Sequence, residues 1–202
     1  WGLTTAYTDD QDLYVERLNP DNPDEYLTPD GYVPFETRDV LVGVGDDPAR
    51  SITLRWTRHG PVVPSGHFGV DAITPPGHVV ALAWTALDTE DRAMDALVGL
   101  MSAHSIDAGR HVLEGLIAPS QNFTMADASG VALQVGGRAP LRQLSHQGEG
   151  RIPVPGWVAA NDWQGYVPFD DNPAFYDPRS GLVINTNNRT ASQPFPLHLS
   201  HI

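Results

Sequence analysis

The chain has 202 residues, enough for one large domain or two small ones with a sizeable core. Its 25 acidic and 12 basic residues give a formal net charge of −13. Such a surface repels phosphate, which argues against nucleic-acid binding and against anionic membranes and suits a soluble, cation-binding protein. Cysteine is absent, which excludes a disulfide framework, a thiolate metal site and a cysteine nucleophile, and no run approaches the ~18 apolar residues of a transmembrane helix.

Gly (19) and Pro (18) are abundant and charged residues make up only 18%, which points to short strands and many turns. In chain order, residues 1–17 hold two strand-like stretches separated by the acidic loop T-D-D-Q-D. The opening W-G-L-T-T-A-Y reads as the middle of a strand and the closing H-L-S-H-I is as abrupt, so a piece of a longer chain is expected. A Pro/Asp-rich connection covers 19–30, and β-branched and aromatic runs follow over 31–44. Residues 51–56 alternate with period two, H-G-P-V-V is a turn leading into an edge strand, and 78–85 is a nearly continuous apolar run suited to a buried strand.

The period then changes. Residues 88–101 place Met94, Leu97, Val98 and Met101 on one helical face, with Asp88 and Thr89 able to cap. Ser105 can cap a second helix that turns Ile106, Val112, Leu113 and Leu116 inward. Strand patterns return at 122–126, 131–135 and 182–186. The expected class is α+β and β-rich.

Four features bear on chemistry. T-D-D-Q-D puts three carboxylates in four residues, which is either a solvated acidic turn or part of a hard-cation site built from Asp9, Asp12 and a backbone carbonyl. The eight histidines show no helical metal-binding pair and read as surface and loop residues, His198 and His201 included. There is no G-x-S-x-G elbow, and G-V-G-D-D precedes no helical pattern, so neither a serine-hydrolase elbow nor a nucleotide loop is indicated. Finally, I-N-T-N-N-R ends the last strand pattern in three carboxamides. These side chains either cap backbone groups in a turn or project a neutral N–H donor into a cleft, as an oxyanion site requires.

Taken in order, seven stretches resemble the penicillin acylase family of N-terminal-nucleophile amidohydrolases. They are W-G-L-T-T-A-Y-T-D-D-Q-D-L-Y-V-E, R-W-T-R-H-G-P-V-V, A-L-A-W-T-A-L-D, P-S-Q-N-F-T-M-A-D-A-S-G, R-I-P-V-P-G, D-W-Q-G-Y-V-P-F-D-D-N-P and G-L-V-I-N-T-N-N-R. The resemblance spans essentially the whole chain. It implies a partial N-terminal-nucleophile sheet core with a small inserted β-domain and two helices. The corresponding division is 1–17 for a core strand and the acidic loop, 18–87 for the inserted β-rich domain and 88–202 for the truncated core. It further implies cleavage of a side-chain acyl amide of the penicillin, acyl-homoserine lactone or lipopeptide type. The nucleophile would be an N-terminal Ser upstream of this segment, exposed when a precursor cuts itself into light and heavy chains. This segment would then be a central piece of the heavy chain, inactive by itself, with the light chain and the rest of the heavy chain as its partners.

Residue by residue, Asn187 matches the family's oxyanion asparagine, and the backbone N–H donor falls in T-T-A-Y, assigned to Ala6 with Thr5 and Tyr7 as alternatives. Tyr7, Gln121 and Asn122 match positions around the acyl pocket. Asp9, Gln11, Asp12 and Gly150 match ligands of a structural calcium. No organic cofactor is expected, and a periplasmic or secreted parent is. The competing expectation is a non-catalytic β-rich binding module for calcium or carbohydrate, with Trp1, Trp157 and Trp163 available for sugar stacking and Trp56 and Trp84 placed in the core.

Overall fold

The computed structural model describes residues 1–188 and 190. In chain order the strands are β1 (Gly2–Thr5), β2 (Gln11–Arg17), β3 (Glu25–Thr28), β4 (Gly31–Pro34), β5 (Glu36–Val44), β6 (Asp47–Thr57), β7 (Gly60–Pro61) and β8 (His78–Trp84). Two helices follow, α1 (Ala93–Ser102) and α2 (Ile106–Leu113), and then β9 (Gln121–Ala126), β10 (Val131–Gly136), β11 (Val154–Pro155) and β12 (Ala174–Tyr176). The chain folds as two compact units. One takes Trp1–Asp10, Thr85–Leu141 and the described residues from Trp163 on, and the other takes Gln11–Trp84 and Arg142–Asp162.

The first unit is a four-stranded antiparallel sheet in the order β1-β9-β10-β12. Side chains alternate across it. Phe123, Met125 and Ala132 face the helices and pack with Ala96, Leu100, Ile106, Leu113 and Leu116. Leu133 and Val135 point to the other face, where Ala6 and Val183 lie against them. Ser105 caps α2 through a 3.1 Å bond from the Ala108 N–H, as its position predicts.

Helix α1 differs from expectation in both its start and its face. Its N-cap is Arg92 without a side-chain cap. Asp88 instead accepts from the Glu90 N–H and from Arg138, while Asp91 Oδ1 takes the Ala93 and Ile117 N–H groups at 3.2 and 3.0 Å. Ala96 and Leu100 are buried with Ala93 and Leu97 beside them, whereas Met94, Val98 and Met101 are exposed. Both stripes satisfy helical spacing. The small alanines win because they let the helix approach closely, and Gly99 already sits against Val112 of α2.

The second unit contains the sheet β11-β2-β8, the hairpin β3-β4 and the sheet β5-β6-β7. Strand β2 groups here because it pairs residue for residue with β8, from Gln11↔Trp84 to Arg17↔His78. The observed division therefore falls after Asp10 and after Trp84, and brings 142–162 in with β2.

The buried face of β2 is Asp12, Tyr14 and Glu16. A buried charge is tolerated only when it is paired. Glu16 Oε1 meets His59 Nδ1 at 2.8 Å, and His59 Nε2 meets Asp162 at 3.0 Å. Arg58 grips Asp162 with two bonds of 2.7 and 2.8 Å and donates to the Gly156 carbonyl. Tyr14 stacks on His59 with centroids 3.6 Å apart and donates to the Asn161 carbonyl at 2.7 Å. Burial, with help from the Asp12 and Asp162 charges, drives the Tyr14 hydroxyl far above its ordinary value. The turn after His59 accepts only glycine, since Gly60 has φ 138° and a Cβ there would run into the Leu82 carbonyl oxygen.

Asp12 has its own partner, Arg142, whose Nε lies 2.7 Å from Oδ2 and whose Nη2 donates to the Gln11 carbonyl at 3.2 Å. His59 and His146 are therefore interior residues, contrary to the surface reading, because each is fastened by hydrogen bonds; His198 and His201 lie outside the described residues. Trp56 is half-buried and Trp84 exposed, so neither belongs to the core.

Arg142→Met strands the buried Asp12 carboxylate and is expected to cost ~3–5 kcal/mol, more than the double change Asp12→Asn with Arg142→Met. Denaturant unfolding of the four variants checks it, and equal costs for the single and double variants would refute the pairing. A second expectation concerns pH. His146 Nδ1 accepts the Gly148 and Glu149 N–H groups at 3.2 and 2.9 Å, so that nitrogen carries no proton. Burial pushes the ring below its ordinary value of 6.5 against the opposing pull of Asp12. The unfolded chain takes up the proton first, so this contribution to stability is complete above pH 6.5 and is lost as pH falls below it. His146→Asn can accept the same two bonds without titrating, and should flatten the fall of the unfolding midpoint between about pH 7 and 5.

Candidate functional site

The site forms at the end of β1, the outer strand of its sheet among the described residues. Antiparallel register places Thr4 opposite Asn122, and Asn122 opposite Val135, all on the face away from the helices. Val183 packs onto that face, and the three carboxamides follow it. Residues 182–186 were expected to form a strand, but here they are irregular. Side-chain oxygens, not a backbone ladder, join them to β1.

Asn185 Oδ1 accepts the Thr4 hydroxyl at 2.5 Å and the Asn187 N–H at 3.0 Å. Asn188 Oδ1 accepts the Thr186 N–H at 3.0 Å. The first is an Asx turn and the second a side-chain bond back to the preceding turn, both local capping roles that asparagine performs well. They hold Asn187 at φ 64°, a left-handed conformation that asparagine tolerates better than most residues. In that pose Asn187 Oδ1 accepts the Thr5 N–H at 3.0 Å. The reverse amide orientation would set an NH₂ against an N–H, so hydrogen-bond chemistry settles which atom faces Thr5.

The backbone donor beside Asn187 is thus Thr5, and not Ala6. The Ala6 N–H is committed to the Ser120 carbonyl at 3.3 Å, and the residue is buried against Leu133 and Val135. The alternation of the strand decides this, because consecutive N–H groups on an edge point to opposite sides. Tyr7 is half-buried, with φ 51°. Gln121 is half-buried and pairs with Thr5, while Asn122 is wholly enclosed. An apolar groove lined by Leu133, Phe175, Leu182 and Ile184 borders the carboxamides.

The residues aligned with calcium ligands behave differently. Asp9 belongs to the first unit, and Gln11, Asp12 and Gly150 to the second. The Gln11 carbonyl and the Asp12 carboxylate both already receive Arg142, whose charge takes the role a cation would have. Among the described residues no three Asp, Glu or His side chains are arranged so that they could hold a metal ion. Held by Arg142 in this way, Gln11 and Asp12 do not fit a calcium ion.

Sequence reasoning named Asn187 but gave no role to Thr4 or Thr190. A threonine paired across strands with a buried asparagine was the available signal. It also missed Arg142 and the Glu16–His59–Asp162 chain, whose members lie far apart in sequence.

Comparison with known proteins adds an independent line. The penicillin amidase family model matches residues 1–202. The acyl-homoserine lactone acylase QuiP of Pseudomonas syringae pv. tomato is 30% identical over all of this chain and 24% of its own length. Penicillin G acylase of Escherichia coli is 30% identical over 93% of this chain and 21% of its own length. The chain thus spans about a quarter of the length of these relatives. The thermostable penicillin G acylase of Alcaligenes faecalis superposes with a TM-score of 0.81 at 25% identity, covering 96% of this chain and 33% of that one. With its strand-rich α+β architecture and a family match over its full length, the chain belongs to the penicillin amidase family.

Proposed function

We propose that this chain is the part of an amide-cleaving acylase that stabilises the oxyanion, with the Thr5 N–H and the Asn187 carboxamide as its two donors. The observation that carries the reading is their 3.0 Å contact at the end of β1. Attack on an amide carbonyl moves negative charge onto its oxygen. A backbone N–H and a neutral carboxamide can meet that charge without a proton transfer of their own. Here Asn187 Oδ1 stands where such an oxygen would sit. An entering substrate oxygen displaces it, takes the Thr5 N–H, and turns the carboxamide so that Nδ2 becomes the second donor.

In this reading the nucleophile is an N-terminal serine outside these 202 residues, freed by self-cleavage of a precursor. Its α-amine, which titrates near ~7.7–8.0, serves as base. The substrate class is an N-acyl amide. The similarity to acyl-homoserine lactone and penicillin G acylases supports that class without naming the acyl group. Export to the periplasm or medium goes with the same reading.

Asn187→Ala in the full-length protein is expected to lower kcat by ~10²–10³-fold while the protein stays folded. Single-turnover kinetics on a panel of N-acyl substrates, with circular dichroism as the folding control, checks this. An unchanged kcat would remove Asn187 from the chemistry.

A further inference from the structure

Behind the Thr5–Asn187 pair lies a second carboxamide. Asn122 on β9 is 0% exposed, and all of its polar capacity is spent inward. Its Nδ2 lies 3.1 Å from the Thr5 carbonyl oxygen, 3.3 Å from Thr4 Oγ1 and 3.3 Å from Asn185 Oδ1. Its Oδ1 accepts the Thr190 hydroxyl at 2.5 Å. One side chain thereby touches both sides of the site. On β1 it holds the carbonyl of the residue whose N–H faces Asn187. Across from it, it holds Asn185, whose Oδ1 fixes the Asn187 N–H at 3.0 Å. Thr4 closes the ring by accepting from Asn122 and donating to Asn185 at 2.5 Å.

We propose that Asn122 is a positioning residue for the oxyanion donors and makes no contact with the acyl group. The inference rests on the oxyanion reading of Thr5 and Asn187. Enclosure keeps Asn122 from substrate, so a direct role in the acyl pocket is incompatible with its place. Its effect passes through Thr5 and Asn185. A buried carboxamide with every bond satisfied holds one rotamer, and it keeps the Thr5 backbone and the Asn187 turn in place while the Asn187 amide rotates to meet the charge. Removal of Asn122 leaves the Thr5 carbonyl without that donor and releases the Asn185 anchor, so the two oxyanion donors drift apart. Misplacement of this kind weakens binding of the transition state and leaves ground-state binding alone.

The test uses the full-length enzyme with three variants, Asn122→Ala, Thr4→Val and Asn187→Ala. The readouts are kcat, KM over a series of acyl lengths, affinity for an acyl boronic acid whose tetrahedral adduct mimics the oxyanion, and the unfolding midpoint. Asn122→Ala is expected to lower kcat and boronate affinity together, by up to about 10²-fold, with KM and acyl-length preference unchanged. Thr4→Val, a near-isosteric change that opens the same ring, should show the same split at smaller size, and it decides the matter if Asn122→Ala does not fold. A shift in acyl-length preference, or an unchanged kcat in folded variants, overturns the proposal. Asn187→Ala separates the two levels. If it leaves kcat intact, the oxyanion reading fails. If it lowers kcat while both Asn122→Ala and Thr4→Val do not, only the positioning role fails.

Discussion

Backbone N–H and C=O groups must find partners, and at the end of β1, the outer strand of its sheet among the described residues, those partners are carboxamides. Thr5 gives its N–H to Asn187 and its carbonyl to Asn122. A side-chain oxygen satisfies the same N–H and can be displaced by rotation about two bonds. The cost is a left-handed backbone at Asn187, held by an Asx turn from Asn185 that a short polar side chain supplies. Three asparagines within four positions serve one arrangement. Asn185 and Asn188 shape the turn, and Asn187 faces the strand.

The second unit answers a different constraint. Its central strand buries an aspartate, a tyrosine and a glutamate on one face, where a core strand ordinarily buries aliphatic residues. Charge pairing makes this tolerable. Arg142 meets Asp12, and His59 bridges Glu16 to Asp162, which Arg58 in turn clamps. Both ring nitrogens of His59 face carboxylate oxygens, so the ring links the two acidic side chains. Hydrogen bonds from Arg58 and His59 outweigh the burial that would raise Asp162, and hold its carboxyl below the ordinary value. These contacts tie β2 to the 154–162 segment, which the short parallel pairing of β11 with β2 would hold only weakly.

Much of the fold was legible before the structure. The cap at Ser105, the strand that begins at His78 and the α+β order follow from local chemistry. The start and buried face of α1 were not legible, because two apolar stripes on one helix satisfy the same period. The irregular course of 182–186 was hidden by an apolar run that reads as a strand. For the candidate site, the cluster Asn185, Asn187 and Asn188 was visible as a motif. The partner N–H was misassigned by one residue, because a one-residue shift on a strand reverses the side to which a group points.

The sequence alone determined the composition of the molecule's turns and strands, the polar stripe of β2 and the cluster of three asparagines, since these depend on neighbours a few residues apart. Only the tertiary structure decided which N–H Asn187 meets, that Asn122 is enclosed against Thr5 and Asn185, and that Arg142 holds Asp12. Those contacts join residues separated by 182, 117 and 130 positions. Local pattern carries no information across such distances. Strand register and the need to pair every buried polar group set those contacts, and both constraints act only once the chain has folded.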